Sequence, residues 1–326
     1  MGVKTGIEWC DATFNIAWGC QKVSPGCANC YAATLDKRVG GTHWGPDQPR
    51  RTFGERHWNQ PLKWNAAAQK RGEPATVFCS SMCDIGEDHP TIRQERAKLW
   101  PLIKRTPWLI WLLLTKRDDQ WHAILPADWS CENYPNVWLG TSVESQDYVH
   151  RVSELLEVDA VQHFVSAEPL LGPLDLRRFL GLECVHEDSY RESDTNYHVC
   201  KKCDEARLLS WVIVGGESGD GARRMEEKWA RDIVEQCREA RISCFMKQMG
   251  RVYGATHGGD LKGATVIPAD INVRQWPGRV RLAAFDACER CMVSAAHGFE
   301  TDNATVRGCT NPNGCRCVLV HKVPAV

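Results

Sequence analysis

Short apolar runs rich in β-formers recur along the chain, and most of them end on polar or charged residues. ATVFCSSMCD covers residues 75–84, and WLIWLLLTKR covers 108–117, stopping at Lys116 and Arg117. NVWLGTSVE runs from 136 to Glu144, and VQHFVSAEP passes Ser166 to reach Glu168. WVIVGGESG ends with Glu217 and Ser218, and ISCFMKQMG ends with Lys247 and Gln248. Nearly continuous apolar strands are the mark of a parallel sheet covered on both faces. Helical patterns lie between many of them, at 91–103, 145–158 and 226–240. In the last, Trp229, Ile233, Val234 and Cys237 share one helical face. Strand and helix alternating in this way predict a parallel α/β fold, either a partial (β/α) barrel or an open doubly wound sheet. The barrel is the better reading. In a barrel, polar residues at the carboxyl ends of the strands gather at one mouth, where chemistry sits. One such strand end reads equally well as a solvated terminus; the repetition over several strands is what favours a mouth.

Two stretches break the rhythm. Residues 181–207 are polar and intrude between the strands expected near 162 and 211, and from about residue 280 the chain becomes cysteine-rich. The expected organisation is a barrel over 1–250, interrupted by an insertion at 181–207, then an extension over 251–326 carrying a cysteine-rich tail at 280–320.

Composition narrows the setting. No apolar run approaches the ~20 residues that cross a bilayer, and the first residues lack the basic flank and apolar core of an export signal. A cytoplasmic protein with no membrane partner is expected. The 40 basic and 41 acidic residues nearly cancel, so bulk charge gives no case for nucleic acid, although a local basic face stays open. The chain has 17 cysteines, an odd number for a disulfide framework, and in a reducing compartment clustered thiols point to metal.

The densest cluster is Cys20, Cys27 and Cys30, separated by six and two residues, with Ser24, Pro25 and Gly26 forming the turn between them. Structural zinc takes four ligands, so three thiols must recruit another, for which Cys10 is available. Alternatively, a cubane iron–sulfur cluster is held by three thiolates with its fourth iron left open.

The stretch GIEWCDATFNIAWGCQKVSPGCANCYA, followed in order by LLLTKR, PNVWLGTSVE, FVSAEPLLGPLDL, WVIVGGESG and FMKQMG, resembles a phage-associated, three-cysteine radical-SAM-like family over residues 6–250. Within the radical SAM superfamily it is distantly similar to the spore photoproduct lyases, although the superfamily more often spaces its cysteines by three and two residues. The resemblance implies a partial parallel barrel of radical SAM type enclosing a 4Fe–4S cluster on Cys20, Cys27 and Cys30. The open iron would chelate S-adenosylmethionine, and an electron from a flavodoxin- or ferredoxin-type donor would cleave it to methionine and a 5′-deoxyadenosyl radical. The setting implied is the cytoplasm of a phage's host.

Residues expected to meet that cofactor are Ser81, Asp84, Glu144, Ser166, Glu168 and Glu217, as acceptors for its amine or ribose. Lys116 or Arg117 is expected to hold its carboxylate, and Gly215 and Gly216 to permit close backbone approach. The GGESG turn lacks the lysine of a phosphate loop. Tyr31 is either a neighbour of adenine or cluster, or a core tyrosine. Cys83, Lys116 and Glu168 are the catalytic candidates; Cys83, and less so Cys79, can supply a hydrogen atom, against the ordinary reading of buried cysteine.

Two further metal groups are expected. Cys184 and His186 (or His198) with Cys200 and Cys203 have zinc-ribbon spacing and would staple the insertion. Cys288, Cys291, Cys309, Cys315 and Cys317 suit zinc or an auxiliary cluster. Aromatics beside basic residues, as in RHWNQPLKW (56–64), can stack nucleobases. The leading functional expectation is a radical S-adenosylmethionine enzyme acting on a nucleic acid or nucleotide, in DNA modification or repair. A zinc-stabilised nucleic-acid-binding protein without catalysis is the alternative.

Overall fold

A computed structural model describes residues 5–260, 262–277, 304–310 and 316–322, apart from 184–189, 192–197 and 200–206. Seven strands form one all-parallel sheet in chain order: β1 (Ala12–Phe14), β2 (Ala75–Cys79), β3 (Leu109–Thr115), β4 (Val137–Ser142), β5 (Gln162–Ala167), β8 (Trp211–Gly215) and β9 (Ser243–Gln248). The sheet curves into a half-barrel. Each apolar run read from the sequence is one of these strands; β1, only three residues long, has no such signature. Between β5 and β8, β6 (Tyr190–Arg191) pairs with β7 (His198–Val199).

The helices fill the crossovers: α1 (Tyr31–Arg38), α2 (Glu55–Trp58), α3 (Gln60–Arg71), α4 (Pro90–Lys104), α5 (Trp121–Ile124), α6 (His150–Glu157), α7 (Glu227–Glu239) and α8 (Arg251–Thr256). On α7 the predicted face is the buried one: Ala230, Ile233, Val234 and Cys237 point into the core, and Trp229 packs against its edge.

Side chains alternate between two separate cores, as the period of a strand requires. Val77, Trp111, Leu113, Leu139, Val165, Val212 and Met246 face the helices. Their neighbours Phe78, Ile110, Leu112, Trp138, Phe164, Trp211, Ile213 and Phe245 face the lumen, joined there by Trp9. The lumen is filled by aromatic rings in tilted and edge contacts: Trp9 with Phe78 at 4.6 Å, and Trp211 with Trp9, Trp138 and Phe164 at 6.0, 6.2 and 5.8 Å. Gly140 makes room for this packing, since a Cβ there would stand 2.3 Å from the Phe164 ring.

The free edge of β9 is covered by residues 273–275. Met246 N–H donates to Val273 O at 2.8 Å, and Gln275 N–H to Cys244 O at 2.9 Å. Trp276 then donates through Nε1 to Trp9 O at 3.1 Å, and Arg274 pairs with Glu8. Residues past 250 thus close the gap between the first and last strands, which removes an exposed sheet edge.

The zinc ligands expected at Cys184, His186, Cys200 and Cys203 lie outside the described residues, as do Cys288, Cys291 and Cys315. Near the C-terminus the backbone of β10 (Ala304–Thr310) pairs antiparallel with β11 (Arg316–Lys322), a register that sets Cys309 opposite Cys317. Among the described residues, no helix is long and apolar enough to cross a membrane.

Candidate functional site

Following each strand past the aromatic layer, the inward positions change character. Ser80 succeeds Phe78, Leu114 and Lys116 succeed Leu112, Ser142 succeeds Gly140, Ser166 and Glu168 succeed Phe164, and Lys247 succeeds Phe245. All line one cavity of about 210 Å³ at the carboxyl ends of the strands. The opposite wall is the cysteine loop, so Cys20, Cys27 and Cys30 open onto the same space as Ser81, Cys83, Asp84, Gly216 and Glu217. Sequence-distant candidates therefore meet at one mouth.

The loop is held from several sides. Gly19 N–H donates to Met82 O at 3.0 Å, and Gly45 N–H to Cys20 O at 3.0 Å. Ser24, Pro25 and Gly26 make the predicted turn, with Cys27 N–H on Ser24 O at 2.9 Å, and Cys30 precedes the first residue of α1. Underneath sits Glu144, 1% exposed. It accepts from Ser24 Oγ at 2.6 Å and Arg151 Nη1 at 3.0 Å, and faces Lys116 Nζ at 3.3 Å. Burial alone would raise its carboxyl, but Lys116, the Ser24 hydroxyl and Arg151 outweigh it and hold the group below its ordinary value. Gly26 is tight against this carboxylate: a Cβ would lie 2.3 Å from Oε1. Glu144 thus stands behind the cysteine loop and not on the cavity wall.

The far end of the loop is fastened to the turn after β8. Asn29 Nδ2 donates to Glu217 Oε2 at 3.1 Å and to Gly221 O at 2.8 Å. Arg223 grips Glu217 at 2.7 and 3.0 Å and reaches Pro25 O at 2.9 Å. Burial works against the Glu217 anion, yet Arg223 and Asn29 keep its carboxyl below the ordinary value. Gly216 is glycine for a neighbouring reason: a Cβ would lie 2.4 Å from Met249 O, where the chain leaves the paired ends of β8 and β9.

Three other expected ligands have partners inside the protein. Asp84 accepts from Gly86 N–H at 2.8 Å, Lys116 N–H at 3.1 Å and Thr115 Oγ1 at 2.5 Å, and pairs with Arg117 at 2.9 Å. Arg117 turns to the cysteine loop, with its two terminal nitrogens 3.8 and 4.0 Å from Cys20 Sγ. Glu168 meets Lys247 Nζ at 2.5 Å. Tyr31, 51% exposed, donates through its hydroxyl to Ser81 O at 3.0 Å at the cavity rim. Cys79 is fully buried behind the wall, whereas Cys83 lines it; burial pushes the Cys83 thiol up to about 12. In RHWNQPLKW, Trp58 and Trp64 pack against the helix-side core, and His57 stacks between Phe14 and Phe53. Trp44, by contrast, lines the cavity.

Lys247 was readable in the sequence, because it shares the parity of Phe245. Asn29, Glu87 and Arg223 carried no local signal; their partners are brought in by the crossovers.

The donor set suits a cluster. The three thiols are free, part-exposed and soft, and they face one cavity. Cys10 is buried beside the lumen rings, with its Sγ on Ile7 O at 3.6 Å. Among the described residues, no three His, Cys, Asp or Glu side chains converge closely enough to hold a single metal ion. A cubane makes no such demand, since it binds each thiolate to a different iron.

The chain belongs to the family described as "Protein of unknown function (DUF5131)", whose model matches residues 4–298. No curated protein matches it. Among solved structures, it is similar to a spore photoproduct lyase mutant at 14% identity, over 51% of this chain and 48% of that one, with a TM-score of 0.36. A second lyase mutant, with bound AdoMet and dinucleoside spore photoproduct, matches at 14% identity over 52% and 50%, with a TM-score of 0.34. The chain spans about half the length of these lyases.

Proposed function

We propose that this protein is a radical S-adenosylmethionine enzyme, with a 4Fe–4S cluster on Cys20, Cys27 and Cys30 and a nucleic acid or nucleotide as substrate. One observation carries the reading: three free thiols face the same cavity as Ser81, Lys116, Ser166, Glu168 and Glu217 at the carboxyl mouth of a parallel half-barrel. When bound, the cluster supplies one electron, received from a flavodoxin- or ferredoxin-type donor, to cleave the cofactor's sulfonium and release a radical that takes hydrogen from the substrate.

The chain's own residues supply placement. Ser166 and Glu168 offer acceptors to an amine or ribose, and the Glu168–Lys247 pair places both charges on the cavity wall. Ser81 and Glu217 stand on opposite sides of the thiols in the fold, one after β2 and the other after β8. Cys83 keeps its hydrogen at neutral pH, as a hydrogen-atom donor must. Glu144, Asp84 and Arg223 fix the walls. The aromatic layer below seals the lumen from water. Trp44 on the wall supports a base-bearing substrate. The cysteine groups at 184–203 and 288–317 belong to this reading as zinc staples or, for the second, an auxiliary cluster.

The test is anaerobic purification followed by iron, sulfide and zinc analysis. The protein is then incubated with S-adenosylmethionine and dithionite, with and without DNA, and assayed for 5′-deoxyadenosine by mass spectrometry. A brown protein with about four irons per cluster site that releases 5′-deoxyadenosine is the expected result. A colourless protein holding zinc alone overturns the enzyme and favours the binding module.

A further inference from the structure

We propose that Arg117 sets the reduction potential of the cluster by hydrogen-bonding to the Cys20 sulfur, an inference that rests on the cluster reading above. Its Nη1 and Nη2 lie 3.8 and 4.0 Å from Cys20 Sγ, within the reach of N–H···S bonds. The guanidinium is clamped in that position. Nη1 is 2.9 Å from Asp84 Oδ2, and Nη2 is 3.0 Å from Gln21 O and 3.5 Å from Glu87 Oε1. Glu87 is itself pinned by Gln21 N–H at 2.9 Å and by the buried Arg50 at 2.8 and 2.9 Å. With 11% of its side chain exposed, Arg117 is not a mobile surface charge.

Among the described residues, a guanidinium bonded to a thiol of the triad is found at Cys20. Cys27 meets a neutral partner, the Ser24 hydroxyl, at 3.8 Å. Lys116, next in sequence to Arg117, pairs with Glu144. At Cys20, two carboxylates and one guanidinium stand around a single sulfur. Reducing the cluster by one electron adds one negative charge, which N–H donors and a cation beside a ligating sulfur stabilise. Without Arg117, Asp84 would lose its cationic partner beside the sulfur while Glu87 would keep Arg50, and reduction would become harder. In this reading Arg117 is a positioning and tuning residue, which leaves Lys116 of the two residues expected to hold the cofactor's carboxylate.

The experiment is a dye-mediated redox titration of the anaerobically purified full-length chain, followed by electron paramagnetic resonance, for the wild type, Arg117→Gln and Arg117→Lys. The expected result for Arg117→Gln is at least a tenfold loss in the equilibrium constant for reduction, a downward shift of about 59 mV for one electron. Arg117→Lys, which keeps the charge but loses the fork, should shift less in the same direction. Unchanged midpoints in variants that retain their iron overturn the inference and leave the cluster reading intact. A wild type without iron overturns that reading and the inference with it. Should Arg117→Gln fail to hold a cluster, Arg117→Lys decides: a lowered midpoint supports the inference, and an unchanged one overturns it.

Discussion

The two halves of the lumen are built from the same strands and the same inward parity, yet they differ in every property that matters for chemistry. On β5 the step from Phe164 to Ser166 and Glu168 crosses from one to the other, and on β9 the step from Phe245 to Lys247 does the same. Below the step, rings exclude water and fill space. Above it, hydroxyls, carboxylates and ammonium groups face three thiols. Ser142 and Ser166 are as deeply buried as the rings, whereas the thiols, Lys116, Glu168 and Lys247 above them are part-exposed. A further difference is how the mouth and the helix side of the sheet treat charge. Glu144, near the mouth, is 1% exposed and stays ionised because Lys116, Arg151 and Ser24 surround it. His163, next to Phe164 on β5 but with the opposite parity and so on the helix side of the sheet, is 3% exposed and bonds a backbone carbonyl, Val158 O at 2.9 Å. It is pushed down to about 4, chiefly by burial.

The most severe way to break this contrast is at a thiol. Cys27→Ala should abolish cluster assembly and 5′-deoxyadenosine release while leaving the fold and its thermal midpoint nearly unchanged, because Cys27 lines the cavity and carries no part of either core. Iron analysis beside far-ultraviolet circular dichroism checks both halves of that statement. Full iron content in the variant would remove Cys27 from the ligand set.

Trp211→Ala is the mirror experiment. Trp211 is fully buried against Trp9, Trp138 and Phe164 and donates through Nε1 to Gln275 O at 2.9 Å. Removing it should cost about 3–5 kcal/mol of stability, read from urea denaturation, with cluster content retained in the surviving folded protein. A loss under about 1 kcal/mol would mean that the lower lumen collapses around the gap and is no rigid floor.

Much of the scaffold was legible in the sequence, because a parallel strand covered on both faces is apolar almost without interruption. Leu109–Thr115 and Trp211–Gly215 are of that kind. β1 was not legible, since three residues carry no period. The mouth was legible in part. Strand ends gave Lys116, Glu168 and Glu217 their place on the wall, but the sequence could not say which way a charged side chain turns. Arg117 faces Cys20, and Asp84 is taken up by β3, because both sit among groups from other crossovers. Asn29 and Arg223 converge on Glu217 from positions separated by nearly the whole barrel, which no local pattern encodes. The aromatic-basic stretch at 56–64 shows the opposite failure: a surface-like composition whose tryptophans fold inward.

The contrast in charge tolerance sharpens into a pH experiment. An unfolded histidine binds its proton below about 6.5, whereas native His163 resists until about 4. In that window the unfolded chain holds more protons, so stability must fall as pH falls. The loss across the full window is about 3 kcal/mol, and between pH 6.5 and 5 it is about 2 kcal/mol. His163→Gln, whose amide can still donate to Val158 O, should flatten this part of the profile. Glu144 and Glu217 act lower on the scale: with folded values depressed, their contribution is present above the ordinary carboxylate range and lost as pH falls through it. A profile from 6.5 to 5 that is equally steep in His163→Gln would assign the dependence elsewhere.

The finest test uses two glycines that face the same steric demand in different halves. A Cβ on Gly140 would stand 2.3 Å from the Phe164 ring, and one on Gly26 would stand 2.3 Å from the Glu144 carboxylate. Neither site has a left-handed backbone, so the penalty of alanine is overpacking, about 1–3 kcal/mol in each case. The consequences should nevertheless diverge. At Gly140 the ring shifts within the floor, and the cost appears as a lower denaturation midpoint with normal iron content. At Gly26 the carboxylate that anchors Ser24 and Lys116 must move, or the loop must lift from it, and Cys27 moves with its neighbour. Gly26→Ala should therefore lose iron on mild chelation several-fold faster than Gly140→Ala at matched stability. Equal rates would mean that Glu144 supports the fold but does not position the thiols.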